Sequence, residues 1–224
     1  MSTPRQILAA IFDMDGTLLD SMPVWDTVGD VFLERHGYIA PADLGERMRD
    51  MSIEQAARYF VGELGVSMPI AQIMEELNGI PDEQYRYHVP LKPGVLPFLQ
   101  MLHSAGVKMC VATATDASSA RLAFRRLGVL DLFEFVLSCN DVGRGKDDPL
   151  LYNTCAGRLG AAPEDIVIFE DALYCIKTAK QAGFYVVGVS DPSSEGDQAE
   201  IMALSDRFVR RLDQAADLWQ KNNG

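Results

Sequence analysis

Short apolar runs alternate with amphipathic segments along most of the chain. The apolar runs are almost continuously hydrophobic, which is typical of strands buried on both faces of a parallel sheet. They are QILAAIF near the start, VKMCVAT (107–113), FEFVLS (133–138), DIVIFED (165–171), FYVVGVS (184–190) and DRFVRRL (206–212). The segments with helical periodicity are 94–105, 117–127, 148–159, 172–182 and 195–204. Because parallel strands are joined by helical crossovers, the alternation predicts an α/β fold with a doubly wound parallel sheet.

One interval interrupts this alternation. From about Met22 to about Pro90 the pattern is helical throughout, with one of its helices predicted over 69–78. A simple crossover needs far fewer residues than this insertion of about 70. We therefore expect two domains, a core formed by 1–20 and 90–224 and a small helical domain formed by 21–89.

Polar side chains stand where the predicted strands end. The first strand runs into Asp13 and Asp15, the second ends at Thr113, and the fourth ends at Glu170 and Asp171. The segment after the third strand supplies Lys146. Since ligands of open parallel sheets bind beyond the carboxyl ends of the strands, we expect these groups to converge at one edge.

Charge and composition narrow the classes of partner. The 224 residues are 48% hydrophobic and carry a net charge of −12, which disfavours nucleic acid and anionic membranes as partners. No apolar run reaches the roughly 18 residues of a membrane span, and the first apolar segment is too short for a signal peptide. The four cysteines form no C-x-x-C pair and are expected to be reduced core residues. We therefore expect a cytoplasmic protein.

Clustered carboxylates indicate a bound divalent cation. Hard oxygen ligands with open positions for water and substrate suit Mg²⁺, which together with Lys146 can hold a phosphate in an acidic protein. Thr113 can donate its hydroxyl proton to the phosphate, and backbone N–H groups around Gly16 and Ala114 can form an anion-binding nest. Of two neighbouring aspartates, one can attack phosphorus and the other can carry a proton. The residues alone leave open which aspartate attacks.

Four motifs, taken in order, resemble those of the haloacid dehalogenase superfamily. DMDGTLLDS is similar to its first motif and VATAT to its second. GRGKDDPLLY is similar to the third, and IVIFEDALYCIKTAKQAG to the fourth. The helical insertion after the first motif matches the branch of the superfamily whose cap domain follows the first strand. The resemblance covers nearly the whole chain.

The resemblance implies a role for each strand-end residue. It makes Asp13 the nucleophile and a Mg²⁺ ligand, and Asp15 the general acid and base, with its backbone carbonyl on the metal. It assigns phosphate binding to Thr113 and Lys146. It also makes Asp171 a direct metal ligand, with Glu170 beside it as a further ligand or one that acts through water.

Candidate partners of Lys146 and candidate substrate contacts lie outside these strand ends. The third motif has Asp147 where the family has proline, so Asp147 or Asp141 is a candidate partner that orients Lys146. In the helical domain, Arg47 and Arg49 are the candidates for contact with the substrate, because an arginine can bind an anionic or hydroxylated group.

The resemblance favours a phosphatase over other activities of the superfamily. Dehalogenases lack the second aspartate, and phosphonoacetaldehyde hydrolases need a cap lysine, whereas no lysine precedes Lys92. The expected reaction is Mg²⁺-dependent hydrolysis of a small phosphate monoester, such as a sugar phosphate, through an aspartyl-phosphate. The alternatives are a beta-phosphoglucomutase-type phosphotransferase and a non-catalytic protein that binds metal or phosphate. We expect a monomer.

Overall fold

A six-stranded sheet organises the described residues, which are 7–48, 51 and 53–220 of this computed structural model. Its strands are β1 (Ala9–Phe12), β2 (Lys108–Thr113), β3 (Phe135–Ser138), β4 (Ile166–Glu170), β5 (Tyr185–Val189) and β6 (Arg207–Val209). Their order is β3-β2-β1-β4-β5-β6, and all neighbours are parallel. The predicted doubly wound parallel sheet is therefore confirmed, and the sheet changes its winding direction at β1.

The helices follow the predicted segments closely. In chain order they are α1 (Met22–Arg35), α2 (Leu44–Met48), α3 (Ile53–Gly62), α4 (Ile70–Tyr87), α5 (Val95–Ser104), α6 (Ala117–Arg126), α7 (Cys139–Val142), α8 (Leu150–Leu159), α9 (Leu173–Gln181), α10 (Gln198–Leu204) and α11 (Asp217–Gln220). No helix in the described part of the chain combines the length and the apolar character needed to cross a membrane.

The chain divides into two compact units. The core unit comprises Met1–Asp20 and Pro90–Gly224, and the helical unit comprises Ser21–Val89. In the core unit, alternate residues of each strand point to opposite faces of the sheet, and both faces are buried. Ile11 belongs to the hydrophobic cluster formed with α8 and α9, whereas Phe12 stacks on Phe169 and meets Phe98 of α5 edge-on.

The helical unit has a hydrophobic core of its own. Phe32, Phe60 and Leu77 are among its fully buried members. Helix α4 runs beyond the predicted segment 69–78 and continues through Pro81 to Tyr87. Although a proline removes one helical hydrogen bond, Pro81 is buried, and the hydroxyl of Tyr85 accepts a hydrogen bond from the indole of Trp25 at 3.0 Å. Packing therefore sustains the helix where local propensity predicts its end.

The segments of the core unit that lead into and out of the helical unit run side by side. We call this pair, 18–20 and 90–92, the junction. Leu19 forms an antiparallel bridge with Leu91, and the backbone N–H of Asp20 donates to the carbonyl of Pro90 at 3.1 Å. The backbone N–H of Lys92 donates to the carbonyl of Leu18 at 2.9 Å. The core unit thus brings the two ends of the insertion together.

Candidate active site

Strand register aligns the polar residues at one edge of the sheet. Phe12 lies beside Val111 of β2 and Phe169 of β4, so Asp13 follows β1 at the level of Glu170. The backbone N–H of Asp13 still donates to the carbonyl of Phe169 at 3.0 Å. This is the carboxyl edge at the point where the winding reverses, which is the usual ligand position of such sheets.

The loop after β1 requires a glycine at position 16. The loop closes through hydrogen bonds from Leu18 and Leu19 to the carbonyl of Met14, at 2.9 and 2.8 Å. Gly16 has a φ of 83°, and a Cβ there would lie 2.4 Å from Oδ2 of Asp171. A side chain at this position would therefore collide with the carboxylate that follows β4.

Three buried carboxylates meet at this edge. Ligand oxygens of Asp13, Glu170 and Asp171 all lie within 4.8 Å of one another. Burial and the neighbouring charge of Glu170 raise the pKa of Asp171 to about 8, and the same causes raise the pKa of Asp13 well above its usual value. Repulsion among buried carboxylates at such short distances costs free energy, and a bound cation would reduce this cost.

The ammonium group of Lys146 supplies positive charge beside these carboxylates. It is almost fully buried, and its ammonium forms ion pairs with Asp13 and, at 2.8 Å, with Glu170. Burial lowers the pKa of Lys146, but the charges of Asp13 and Glu170 outweigh this effect and hold the pKa well above its usual value. The lysine therefore remains charged beside Asp13.

Glu170 and Asp171 have different surroundings. Both oxygens of Glu170 accept hydrogen bonds: Oε1 from Lys146 and the Tyr152 hydroxyl, and Oε2 from the backbone of Asp171 and Ala172, at 2.8 to 3.3 Å. Asp171 accepts a hydrogen bond at 2.7 Å on Oδ1 from the hydroxyl of Thr17. Glu170 is thus held by donors that orient it, and it in turn orients Lys146.

The end of β2 contributes two threonines. Thr113 is fully buried, and its hydroxyl oxygen accepts a hydrogen bond from the backbone N–H of Thr115 at 3.0 Å. The hydroxyl of Thr115 donates to Oδ2 of Asp15 at 2.7 Å. Ala114 lies between them and is exposed. Asp15 is therefore tied to β2, while Asp13 faces β4.

Comparison with known proteins identifies the family. The sequence profile of the haloacid dehalogenase-like hydrolase family matches residues 7–183. The chain belongs to this family. It is 29% identical to hexitol phosphatase B of Escherichia coli K12 over 91% of this chain and 92% of that protein. It is 27% identical to a phosphorylated carbohydrates phosphatase of Thermotoga maritima, over 84% of this chain and 88% of that protein.

Solved structures agree with this assignment of the fold. The crystal structure of CbbY from Rhodobacter sphaeroides in complex with phosphate superposes with a TM-score of 0.78. The match covers 94% of this chain and 96% of CbbY, at 20% sequence identity. The haloacid dehalogenase fold expected from the four motifs is therefore confirmed.

One expected partner of Lys146 forms hydrogen bonds elsewhere. Asp141 was a candidate partner for Lys146, but its carboxylate instead accepts hydrogen bonds from the backbone N–H and hydroxyl of Ser138, both at 2.8 Å. The bond from the Ser138 backbone and a reciprocal bond from the backbone N–H of Asp141 to the Ser138 hydroxyl, at 3.3 Å, form a capping box at the start of α7. That expectation is wrong for Asp141, because the buried carboxylates of Asp13 and Glu170 pair with the lysine.

Of the two arginine candidates in the helical unit, Arg47 falls within the described residues. Arg47 is exposed at the end of α2, where it forms an ion pair with Asp43 at 2.8 Å and donates to the hydroxyl of Tyr59 at 3.2 Å. Arg49 lies outside the described residues. Contact of either arginine with substrate stays a prediction.

Two residues of the site escaped sequence reasoning. Thr17, which holds Asp171, lies within the first motif of the family, in which the sequence analysis assigned chemical roles to the aspartates alone. Thr115, which holds Asp15, was not among the candidate residues. Both are hydroxyl residues a few positions after a predicted strand end that also carries a functional candidate, but the sequence does not show which distant carboxylate each of them contacts.

Proposed function

We propose that the protein is a Mg²⁺-dependent phosphatase that hydrolyses a small phosphate monoester through an aspartyl-phosphate. The observation that carries the proposal is the buried group of Asp13, Lys146 and Asp171 at the reversal point of a haloacid dehalogenase-like fold. The relatives named above are phosphatases of hexitols and phosphorylated carbohydrates. A phosphorylated sugar or sugar alcohol is therefore the proposed class of substrate.

The donor set fits Mg²⁺. All three acidic side chains offer hard oxygen ligands. Burial and the charge of Glu170 raise the pKa values of Asp13 and Asp171, and a cation bound beside them would oppose this effect. Asp13, Asp171 and the backbone carbonyl of Asp15 would hold the ion, with Glu170 beside them. When bound, Mg²⁺ would supply positive charge to the carboxylates and to the phosphate oxygens.

Asp13 is the proposed nucleophile. Its carboxylate attacks phosphorus, the bond from phosphorus to the substrate oxygen breaks, and an aspartyl-phosphate forms. Asp15 donates its proton to the departing oxygen. In the second half-reaction, Asp15 accepts a proton from the water that attacks phosphorus, which regenerates the Asp13 carboxylate and releases phosphate. The hydrogen bond from Thr115 fixes the direction of the Asp15 carboxyl group.

Lys146 and Thr113 are the proposed phosphate ligands. Lys146 remains charged because of its pairs with Asp13 and Glu170, so it can attract the phosphate and stabilise the negative charge of the transition state. Thr113 accepts one hydrogen bond and still has its hydroxyl proton to donate. Backbone N–H groups near Gly16 and Ala114 complete the proposed anion site.

The helical unit is the proposed cap that selects the substrate. Support comes from its point of insertion, since the junction follows within a few residues of Asp13 and Asp15. Arg47 and Arg49 are its proposed substrate contacts. Selection by a separate unit is consistent with a carboxylate group whose three members all belong to the core unit.

A hydrolysis assay tests the proposal. Purified protein with p-nitrophenyl phosphate should release p-nitrophenol only when Mg²⁺ is present. Asp13→Asn should abolish turnover, because an amide is a poor nucleophile, and Asp15→Asn should lower kcat by about 100-fold or more through loss of proton transfer. Full activity of Asp13→Asn would overturn the mechanism.

Product analysis then separates the phosphatase from the mutase alternative. With beta-glucose 1-phosphate, a phosphatase releases inorganic phosphate, whereas a beta-phosphoglucomutase forms glucose 6-phosphate. A panel of hexitol and sugar phosphates, ranked by kcat/KM, identifies the best substrate. Absence of turnover on every substrate, despite binding of Mg²⁺, would favour the non-catalytic alternative.

A further inference from the structure

Lys92 is a largely buried lysine that lies outside the four motifs. Its side chain is 13% exposed, and its ammonium donates to three acceptors. These are the carbonyl of Gly16 at 2.5 Å, the carbonyl of Ser190 at 2.9 Å and Oδ2 of Asp191 at 2.7 Å. An ammonium group has three N–H donors, so these contacts use its full hydrogen-bonding capacity.

Asp191 supplies the counter-charge for this lysine. Its side chain is only 1% exposed, and its other oxygen accepts hydrogen bonds from the backbone N–H and hydroxyl of Ser193, at 2.9 and 2.6 Å. A buried carboxylate that loses its cation is strongly destabilising. The pair therefore fixes the ammonium at one position beside the loop after β1.

The carbonyl of Gly16 connects Lys92 to the catalytic carboxylates. Gly16 packs against Asp171 so closely that a Cβ would meet Oδ2 at 2.4 Å. The next residue, Thr17, donates to the other oxygen of Asp171 at 2.7 Å. Rotation of the peptide between Gly16 and Thr17 would move both of these contacts. A donor to the Gly16 carbonyl thus restrains Asp171 as well as the loop that carries Asp15.

The backbone of Lys92 strengthens this restraint. Its N–H donates to the carbonyl of Leu18 at 2.9 Å, so the lysine holds the same loop by its main chain and its side chain. Ser190 is anchored separately, because its N–H donates to the carbonyl of Val209 beside β6 at 2.9 Å. Lys92 therefore links the loop after β1, the junction and the loop after β5.

We propose that Lys92 is a positioning residue for the phosphatase reaction, which holds the Gly16 peptide so that Asp15 and Asp171 keep their reactive geometry. The inference rests on the proposed function. A purely structural role would make activity follow stability. A positioning role separates the two, because the loss of the Gly16 contact matters to catalysis even when the buried charge is balanced.

Three variants separate these roles. Lys92→Met removes the donor and leaves Asp191 unpaired, Asp191→Asn keeps the donor, and the double variant Lys92→Met/Asp191→Asn removes the donor and both charges. We expect Lys92→Met to have the lowest Tm and the double variant to recover much of that loss. We expect kcat to fall about 10- to 100-fold in both variants that lack the lysine, with little change in KM, because a small misplacement of catalytic groups is costly. Asp191→Asn should retain most of the activity.

Lys180→Met is the matched control. Lys180 forms a partly buried ion pair with Asp206 at 2.5 Å, at the amino edge of the sheet, opposite the catalytic carboxylates. This variant should lower Tm while kcat and KM remain those of the wild type. Wild-type kcat in the double variant would overturn the positioning role. The positioning role would also be overturned if Lys180→Met lost kcat in the same proportion to its loss of Tm as Lys92→Met does.

A readout without turnover separates failure of this inference from failure of the proposed function. Addition of Mg²⁺ should raise the Tm of the wild type and of Lys180→Met, and should raise it much less in the double variant, in which the Gly16 peptide beside Asp171 is no longer restrained by Lys92. An equal Mg²⁺-dependent rise in the double variant would contradict the positioning of Asp171. This measurement remains informative if no phosphate ester is hydrolysed.

Discussion

At the scale of single residues, hydroxyl groups orient two carboxylates of the candidate site. Asp171 is held by Thr17 and Asp15 by Thr115, each at 2.7 Å. A hydrogen bond to a charged group stabilises one geometry by roughly 1.5 to 3 kcal/mol, which is enough to change a rate constant by an order of magnitude. These threonines therefore belong to the candidate site, although they carry no charge.

Thr115 offers a direct test at this scale. Thr115→Val keeps the shape of the side chain and removes the donor to Asp15, so kcat should fall about tenfold, with little effect on KM. Thr115→Ser keeps the hydroxyl and is the matched control, in which most of the activity should remain. Equal kcat values for the valine variant and the wild type would show that the hydrogen bond does not orient the acid and base.

Sequence reasoning found the charged residues of the site but missed their hydroxyl partners for a physical reason. Thr17 and Asp171 are 154 positions apart, and Thr115 and Asp15 are 100 apart. A threonine beside a strand end has the same local pattern whether it bonds its own loop or a distant carboxylate. The pairing depends on which strands are neighbours, and hydrophobic periodicity does not reveal that order.

At the scale of elements, α7 positions the segment that delivers Lys146. Its capping box joins Ser138, the last residue of β3, to Asp141. Helix α7 ends at Val142, and its C-cap residue Gly143 adopts the left-handed conformation with a φ of 70°. The helix is one turn long, so its cap contributes much of its stability.

The stability contributed by the capping box of α7 should depend on pH. Hydrogen bonds from the backbone and hydroxyl of Ser138 lower the pKa of Asp141. A carboxyl group with a lowered pKa in the folded state stabilises the protein above its unfolded pKa, and this contribution is lost as pH falls. Asp141→Ala should therefore reduce the free energy of unfolding by about 1 kcal/mol at pH 7.

Urea denaturation of wild type and Asp141→Ala at several pH values measures this effect. The difference between them should shrink as pH falls below about 4, where carboxylates become protonated. Asp141→Asn, whose amide oxygen can still accept a hydrogen bond, should lose less stability at pH 7. A difference that is constant from pH 7 to pH 3 would contradict the ionic contribution of the cap.

Elements were easier to predict than their exact lengths. The strands were recognisable because β1, β2 and β4 are apolar along nearly their full length, as burial on both faces requires. Helix α4 was predicted too short, because Pro81 and the polar residues near it favour a helix end locally. Tertiary packing of Ile80, Pro81 and Tyr85 overrides that local preference.

At the scale of the whole molecule, the net charge of −12 shapes the response to cations. Any salt screens the repulsion among acidic surface residues and stabilises the protein modestly. A cation bound by Asp13 and Asp171 has a separate effect, because it binds only the folded state. At about 100 times its dissociation constant, such a ligand adds roughly 2.7 kcal/mol to stability.

Thermal unfolding distinguishes the two effects. Mg²⁺ should raise the Tm of the wild type by about 5 to 10 °C, given the size of the chain, and chelation should reverse the rise. Sodium chloride of equal ionic strength should produce a smaller rise. Asp171→Asn, which can still accept the hydrogen bond from Thr17, should respond to Mg²⁺ no more than to sodium chloride. The same Mg²⁺ response in that variant would argue against a cation at the carboxylates.

The junction has a consequence for how such a chain acquires new specificity. Leu19 and Leu91 pair within the core unit, so the contacts that join the two ends of the insertion do not involve the helical unit itself. With the helical unit as the proposed selector of substrate, exchange of this one contiguous segment should change the preferred metabolite and leave the groups of the candidate site in place.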